Sequence, residues 1–346
     1  MKLSLISLLH CPKCKGSLSL IEAQETEGEI EAGKLECSGC QAIFPIRGFI
    51  PRFVQSDNYA SSFGFQWQRF QRTQLDSYTG TNISRDRFFR QTDWPAESLA
   101  GATVLDAGCG AGRFAEVALS SGAQVIAIDY SEAVDACWRN FALHPKLHVL
   151  QADIYALPFQ SARFDFIYCF GVLQHTPDPR IALLALPVLL KSGAQLAVDI
   201  YMRHWTSMLH LKYWMRPMTS RLPRSTLFQT VERSVPFILP ISRALGRLPG
   251  IGRALRRLVP VANYEGVQPL NEQQLHEWAV LDTFDWLSPK HDKPQTPATL
   301  RSWLVEAGLE DIEVAKVAHL VGRGRRPFVQ TASCKNSSVD AAIAVT

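Results

Sequence analysis

Asp106-Ala107-Gly108-Cys109-Gly110-Ala111-Gly112 separates the apolar run Thr103-Val104-Leu105 from a helical pattern that begins at Arg113. A strand that ends in a glycine turn and restarts as a helix leaves backbone N–H groups free to hold a polar ligand. The spacing is GxGxG and lacks the third glycine of the dinucleotide fingerprint, which favours a ligand smaller than a dinucleotide. The next acid at a strand end is Asp129, closing Val125-Ile126-Ala127-Ile128, about twenty residues further on, where a carboxylate can accept both hydroxyls of a ribose.

Working outward, strand-like apolar runs near 103–107, 124–128, 147–150, 164–169 and 194–200 alternate with helical patterns near 112–121, 131–142 and 179–190. This alternation predicts an α/β fold, a doubly wound and mostly parallel sheet. The pattern lapses over 203–297 and resumes as a helix at 299–306 with strands near 311–317 and 326–331. The expected organisation is therefore a small domain at 1–54, a helical connector at 55–95, a core at 96–202 and 298–332, an insertion at 203–297 and a disordered tail at 333–346. A chain of 346 residues is long enough for two or three folded units.

The series of motifs across 103–200 resembles, in order, the class I methyltransferases that use S-adenosylmethionine, of the type 11 kind. The resemblance implies a seven-stranded, Rossmann-like sheet. It also implies that Asp106 and the turn Gly108, Cys109, Gly110 and Gly112 take the methionine end of the cofactor, while Asp129 takes the ribose. Asp153 matches the family acid that bonds the adenine amino group, with Ile154 as an apolar wall, and Tyr130 and Phe170 complete the cofactor contacts. A helix cap is the other reading of Asp153. His175, just beyond the fourth strand, stands where a family histidine orients or deprotonates the acceptor, a task that suits an imidazole; local hydrogen bonding is its alternative. Lys191-Ser192-Gly193-Ala194 departs from the family's Lys-Pro-Gly-Gly turn before the fifth strand. Cys109, Cys137, Cys169 and Cys334 read as inert fillers, with no activating group beside them in sequence.

Cys11-Pro12-Lys13-Cys14 and Cys37-Ser38-Gly39-Cys40 form two CxxC knuckles, the spacing of a closed, structural Zn²⁺ site. A disulfide pair or a redox motif are the competing readings. A domain of about fifty residues buries too little surface to stand alone, so a metal would supply part of its folding free energy. With Phe44-Pro45-Ile46-Arg47-Gly48 behind the second knuckle, this segment resembles the zinc ribbons that accompany or activate methyltransferases.

The formal charge of +4 is uneven, because 203–257 holds eleven Lys or Arg and one acid, Glu232. Such asymmetry bears on partners. The insertion reads as a substrate lid, with peripheral membrane contact through 203–257 as an alternative: Trp205, Leu209 and Tyr213 share one helical face, and Ile251, Leu255 and Leu258 another, with Arg253, Arg256 and Arg257 between them. The expected acceptor is a small or lipid-linked anionic molecule, methylated on oxygen or nitrogen. Methylation of RNA or a translation protein is a second reading, disfavoured because Gly171-Val172-Leu173-Gln174 replaces the Asn-Pro-Pro-Tyr type motif; a non-catalytic binding module is a third. Asp285, Trp286 and His291 are expected near the acceptor, where they could bind sugar or phosphate; surface loop packing is the equal alternative. No apolar run reaches the roughly 18 residues of a membrane span, and the short apolar core of Leu3 to Leu9 lacks a cleavage site, so the chain reads as cytoplasmic.

Overall fold

The computed structural model of the chain describes residues 1–55, 58–203 and 211–328. After a 3₁₀ turn at Leu3–Leu8, four antiparallel strands form a meander: β1 (Leu18–Thr26), β2 (Glu29–Cys37), β3 (Ile43–Arg47) and β4 (Ile50–Pro51). The inward residues Leu18, Leu35, Phe44 and Ile46 do not make a separate core. They share one apolar cluster with Leu150, Ala152, Leu157 and Phe159 of the larger domain. The junction is also polar: Arg52 donates to Asp135 at 2.6 Å and to the Gln151 side chain at 3.0 Å, and the Phe53 N–H donates to the Gln151 carbonyl at 2.8 Å.

Three helices follow, α1 (Ser61–Arg69), α2 (Asp76–Thr79) and α3 (Ile83–Thr92), and then the alternating core: β5 (Thr103–Ala107), α4 (Arg113–Ser120), β6 (Gln124–Asp129), α5 (Ala133–Phe141), β7 (Leu147–Gln151), β8 (Phe164–Cys169), α6 (Pro179–Leu184) and β9 (Leu190–Ile200). The insertion supplies α7 (Leu211–Thr219), α8 (Arg224–Gly246), α9 (Gly252–Leu255) and α10 (Glu272–Leu287). The core closes with α11 (Pro297–Glu306), β10 (Glu310–Lys316) and β11 (Leu320–Arg325). The sheet order is β10-β11-β9-β8-β5-β6-β7, with β11 antiparallel to both neighbours and the remaining pairs parallel. Successive strand residues point to opposite faces: Val104, Val125 and Val149 enter one cluster, and Leu105, Ile126 and Leu150 the other. Helices cover both faces, which is why the strands read as unbroken apolar runs.

Four expectations shift. The helix expected to reach residue 190 ends at Leu184, because Pro187 opens a 3₁₀ turn that leads into β9. Lys191 to Ala194 lie inside β9 as a bulge, the pairing with β8 jumping from Phe164↔Leu190 to Phe166↔Gln195, with Gly193 at φ +75°. The last strand is β11, not 326–331: Gly322 and Gly324 look unfavourable for a strand, but a Cβ at Gly322 would lie 2.8 Å from Leu304 of α11 and one at Gly324 3.0 Å from Leu309, so both positions are closely packed. In the insertion, α8 runs straight through Pro236 and Pro240. Helix α9 has only four residues, so no extended amphipathic helix forms around Ile251, Leu255 and Leu258. Trp205 and Leu209, Cys334, and the expected tail at 333–346 lie outside the described residues. The insertion packs on itself through Val231, Val235, Ala279 and Phe284, and against Phe65 and Phe70 of the connector. Among the described residues no helix is long and apolar enough to cross a membrane.

Candidate active site

From the neighbouring strands β5 and β8 the sheet grows in opposite directions, and such a switch point leaves a crevice at the carboxyl ends of the strands. A cavity of about 680 Å³ opens there. Its floor is the glycine turn after β5 and Phe170-Gly171-Val172 after β8; connector residues Tyr59, Phe63 and Trp67 cover it, and the insertion forms the far wall.

The turn needs glycine for two separate reasons. Gly108 has φ +96°, and a Cβ on it would stand 2.1 Å from Val172 Cγ2, whereas Gly112 has φ +92° and a Cβ there would stand 2.7 Å from Phe141. The first packs the turn against β8's exit, the second packs α4 against α5. Gly110 donates its N–H to Asp129 Oδ2 at 3.0 Å, so turn and acid are joined directly. Asp129 Oδ1 accepts from the Ser131 N–H at 2.8 Å and the Ser131 hydroxyl at 2.7 Å. Burial raises the Asp129 pKa, and these hydrogen bonds oppose the rise.

Gly108, Cys109, Gly110, Asp129, Tyr130, Ile154, Phe170 and His175 all line this one cavity. Asp106, Gly112 and Asp153 do not. Asp106 is buried behind the turn, and burial pushes its carboxyl up to about 8, with the Tyr168 hydroxyl beside it opposing the rise. Asp153 accepts from the Tyr155 N–H at 3.0 Å, as a local capping acid does. Cys109, Cys137 and Cys169 are buried.

His175 is buried against Phe63 and Tyr201, with ring centroids 5.1 and 5.5 Å away. Its Nδ1 lies 2.9 Å from the His291 carbonyl, which can only accept; the proton therefore sits on Nδ1, leaving Nε2 with its lone pair. Burial lowers its pKa to about 4, so the ring is neutral at neutral pH. His291 thus enters through its backbone, while its own ring packs on Tyr59 at 5.6 Å.

Farther in, residues outside the glycine turn appear. Arg87 pairs with Asp199 at 2.8 Å, and Asp199 also accepts from the Gly171 N–H at 2.5 Å. Arg113 is held by Ser84 Oγ at 2.9 Å and Gln74 Oε1 at 3.1 Å and lies over Trp278. Trp278, Asp282, Asp285 and Trp286 recur at helical spacing on α10 and all reach the cavity. Burial pushes both Asp282 and Asp285 up to about 6. Sequence reasoning had Asp285 and Trp286 but not Trp278 and Asp282, although the i, i+4, i+8 spacing was there to be read.

The thiols of Cys11, Cys14, Cys37 and Cys40 lie within 4.8 Å of one another. Cys11 and Cys40 are 3.6 Å apart and Cys14 and Cys37 3.4 Å, far longer than a disulfide's roughly 2.05 Å. A tetrahedron of metal–sulfur bonds of about 2.3 Å has edges near 3.8 Å, so the cluster has the dimensions of a metal site.

Residues 105–198 match the family described as Methyltransferase domain, and residues 2–48 the family described as Trm112p-like protein. A Coxiella burnetii protein named ubiquinone biosynthesis O-methyltransferase is 31% identical over 131 residues, covering 37% of this chain and 56% of that protein. A Xylella fastidiosa protein of the same name is 40% identical over 105 residues, covering 30% and 43%. The chain thus spans about half the length of the curated relatives it matches. Among solved structures, human N-acetylserotonin methyltransferase in complex with SAM aligns at 15% identity and a TM-score of 0.44, over 79% of this chain and 60% of that one. The sheet core of this chain thus carries, over residues 105–198, the sequence pattern of the family described as Methyltransferase domain, and the four-cysteine cluster lies in the segment that matches the family described as Trm112p-like protein.

Proposed function

We propose that the chain transfers the methyl group of S-adenosylmethionine to an oxygen, or a nitrogen, of a small, glycan-like or lipid-linked acceptor. One observation carries the reading: the Gly110 amide and the Asp129 carboxylate meet at 3.0 Å at one end of a cavity whose other side presents His175. The names of the O-methyltransferase relatives favour oxygen. One further feature suits the donor: the space above Gly171, where a Cβ would meet nothing within 4 Å. When bound, the sulfonium supplies an already electrophilic methyl group, so what the protein must provide is alignment.

The residues divide that task. Asp129 would hold the ribose, and the turn N–H groups the methionine end. Tyr59 and Tyr130, with ring centroids 4.8 Å apart, would shelter the adenosyl group together with Ile154. His175 Nε2 would accept a hydrogen bond from the acceptor hydroxyl and fix its oxygen lone pair toward the methyl. An imidazole this weakly basic orients the hydroxyl rather than stripping it in advance. The four thiolates would hold one structural Zn²⁺, closing its coordination sphere.

Titration calorimetry with S-adenosylmethionine and its demethylated product tests the reading. The intact chain should bind both, and Asp129→Ala should weaken binding at least tenfold. Absence of binding by the intact chain refutes the assignment.

A further inference from the structure

Lys212, on α7, reaches the inner wall of the cavity, where its Nζ lies 5.1 Å from the ring centroids of Tyr213 and Trp286 and 5.5 Å from that of Tyr201. Among the described residues no carboxylate stands within ion-pair distance of it. Asp292 is taken by Arg216, and Asp282 is bonded to the Tyr264 hydroxyl. Asp285 faces the same space from α10 without pairing to the ammonium. Three ring faces give a cation partial compensation for lost water, and an oxyanion would complete it.

We propose that Lys212 is the anion-recognising residue of the acceptor subsite, binding a carboxylate or phosphate carried by the molecule that is methylated. This rests on the methyltransferase reading of the cleft. The Tyr201 ring touches both His175 and Lys212, so the two groups stand on either side of a single side chain. One small molecule can therefore present a hydroxyl to His175 and an anion to Lys212. The balance of charge agrees: with Arg87 paired to Asp199 and Asp129 at the opposite, glycine-turn end, the lining keeps four Lys or Arg against two Asp. Burial lowers the Lys212 pKa, with Asp292 and Asp285 opposing and Arg216 adding to the drop; a bound anion would oppose that drop. The donor's own carboxylate is the competing occupant.

The test uses the full chain loaded with S-adenosylhomocysteine and two probes, benzoate and phenyl phosphate, followed by intrinsic tryptophan fluorescence and calorimetry. Saturable binding of one or both is expected, the stronger probe naming the class of anion. Lys212→Met should weaken that probe at least tenfold with S-adenosylhomocysteine affinity unchanged, and Lys212→Arg should stay within about threefold of the parent. Equal probe binding by the parent and Lys212→Met overturns the proposal, as does failure of both probes at tens of millimolar. A tenfold loss of S-adenosylhomocysteine affinity in Lys212→Met also overturns it, assigning the ammonium to the donor. If the parent does not bind S-adenosylhomocysteine at all, the methyltransferase reading itself falls and takes this proposal with it. Should Lys212→Met not fold, Lys212→Gln carries the same comparison.

Discussion

The Asp129 carboxylate already accepts three hydrogen bonds from its own chain, leaving about one of its roughly four acceptor positions for a ligand. The sequence suggested an acid for both ribose hydroxyls, whereas the geometry favours one. Analogues of S-adenosylhomocysteine lacking either the 2′- or the 3′-hydroxyl should therefore differ: one loses about 1.5–3 kcal/mol, the value of a hydrogen bond to a charged group, and the other little. Equal losses in calorimetry would contradict this. For His175, with its pKa near 4, the imidazole NMR signal should keep its neutral form as pH falls from 7 to 5; a midpoint near 6.5 would show that the ring is not buried as described. Asp106 behaves in the opposite sense. Its folded pKa of about 8 lies above the unfolded value of 3.8, so its contribution to stability is present below pH 3.8 and lost as pH rises through 8. Relative to Asp106→Asn, the parent should lose stability over that window in denaturant titrations. Asp129 and His175 were legible because each sits beside a strand end, where sequence neighbours are also neighbours in space. Lys212 and Arg113 were not, since what makes them notable is the rings around them, contributed by distant segments.

Helix and strand positions were readable where one apolar period dominated, as in β5 to β8, and slipped where packing overrode composition. Strand β11 carries two glycines where Leu304 of α11 and the following Leu309 pack close upon it, and that constraint is invisible in a strand's own residues. Helix α8 keeps its hydrogen-bonded course past two prolines because its opposite face is anchored by Leu227, Val231, Val235 and Leu239. The strand-to-helix turn offers a direct test of element packing. Gly108→Ala should destabilise the fold by about 2–3 kcal/mol through the clash with Val172, and Val172→Ala in the same chain should recover part of it. Full additivity of the two changes would show that the clash is not the cause. Between elements, Arg52→Ala removes a nearly buried guanidinium from Asp135 and Gln151 and should cost about 2–3 kcal/mol in a chemical denaturation series.

At the scale of the whole molecule, the small domain and the sheet share one apolar cluster, in which Leu5, Leu9 and Phe44 join Leu157 and Phe159. The paired CxxC knuckles announced that domain, but nothing in its sequence said where it would dock. Its partner face is the outer edge of the sheet, beside β7. Stripping metal with a strong chelator should lower the melting temperature and open residues 1–54 to protease before the core. Gln151 is the feature with the longest reach: it takes the Arg52 guanidinium on its side chain and the Phe53 N–H on its carbonyl, and it stands in register with Asp129 on β6. If Asp129 holds the donor's ribose, loosening the cysteine end should loosen that contact too, and linkage makes any such coupling mutual. A zinc-loaded chain saturated with S-adenosylhomocysteine should surrender the metal to a chelator more slowly than a bare one, so that each ligand becomes a guardian of the other.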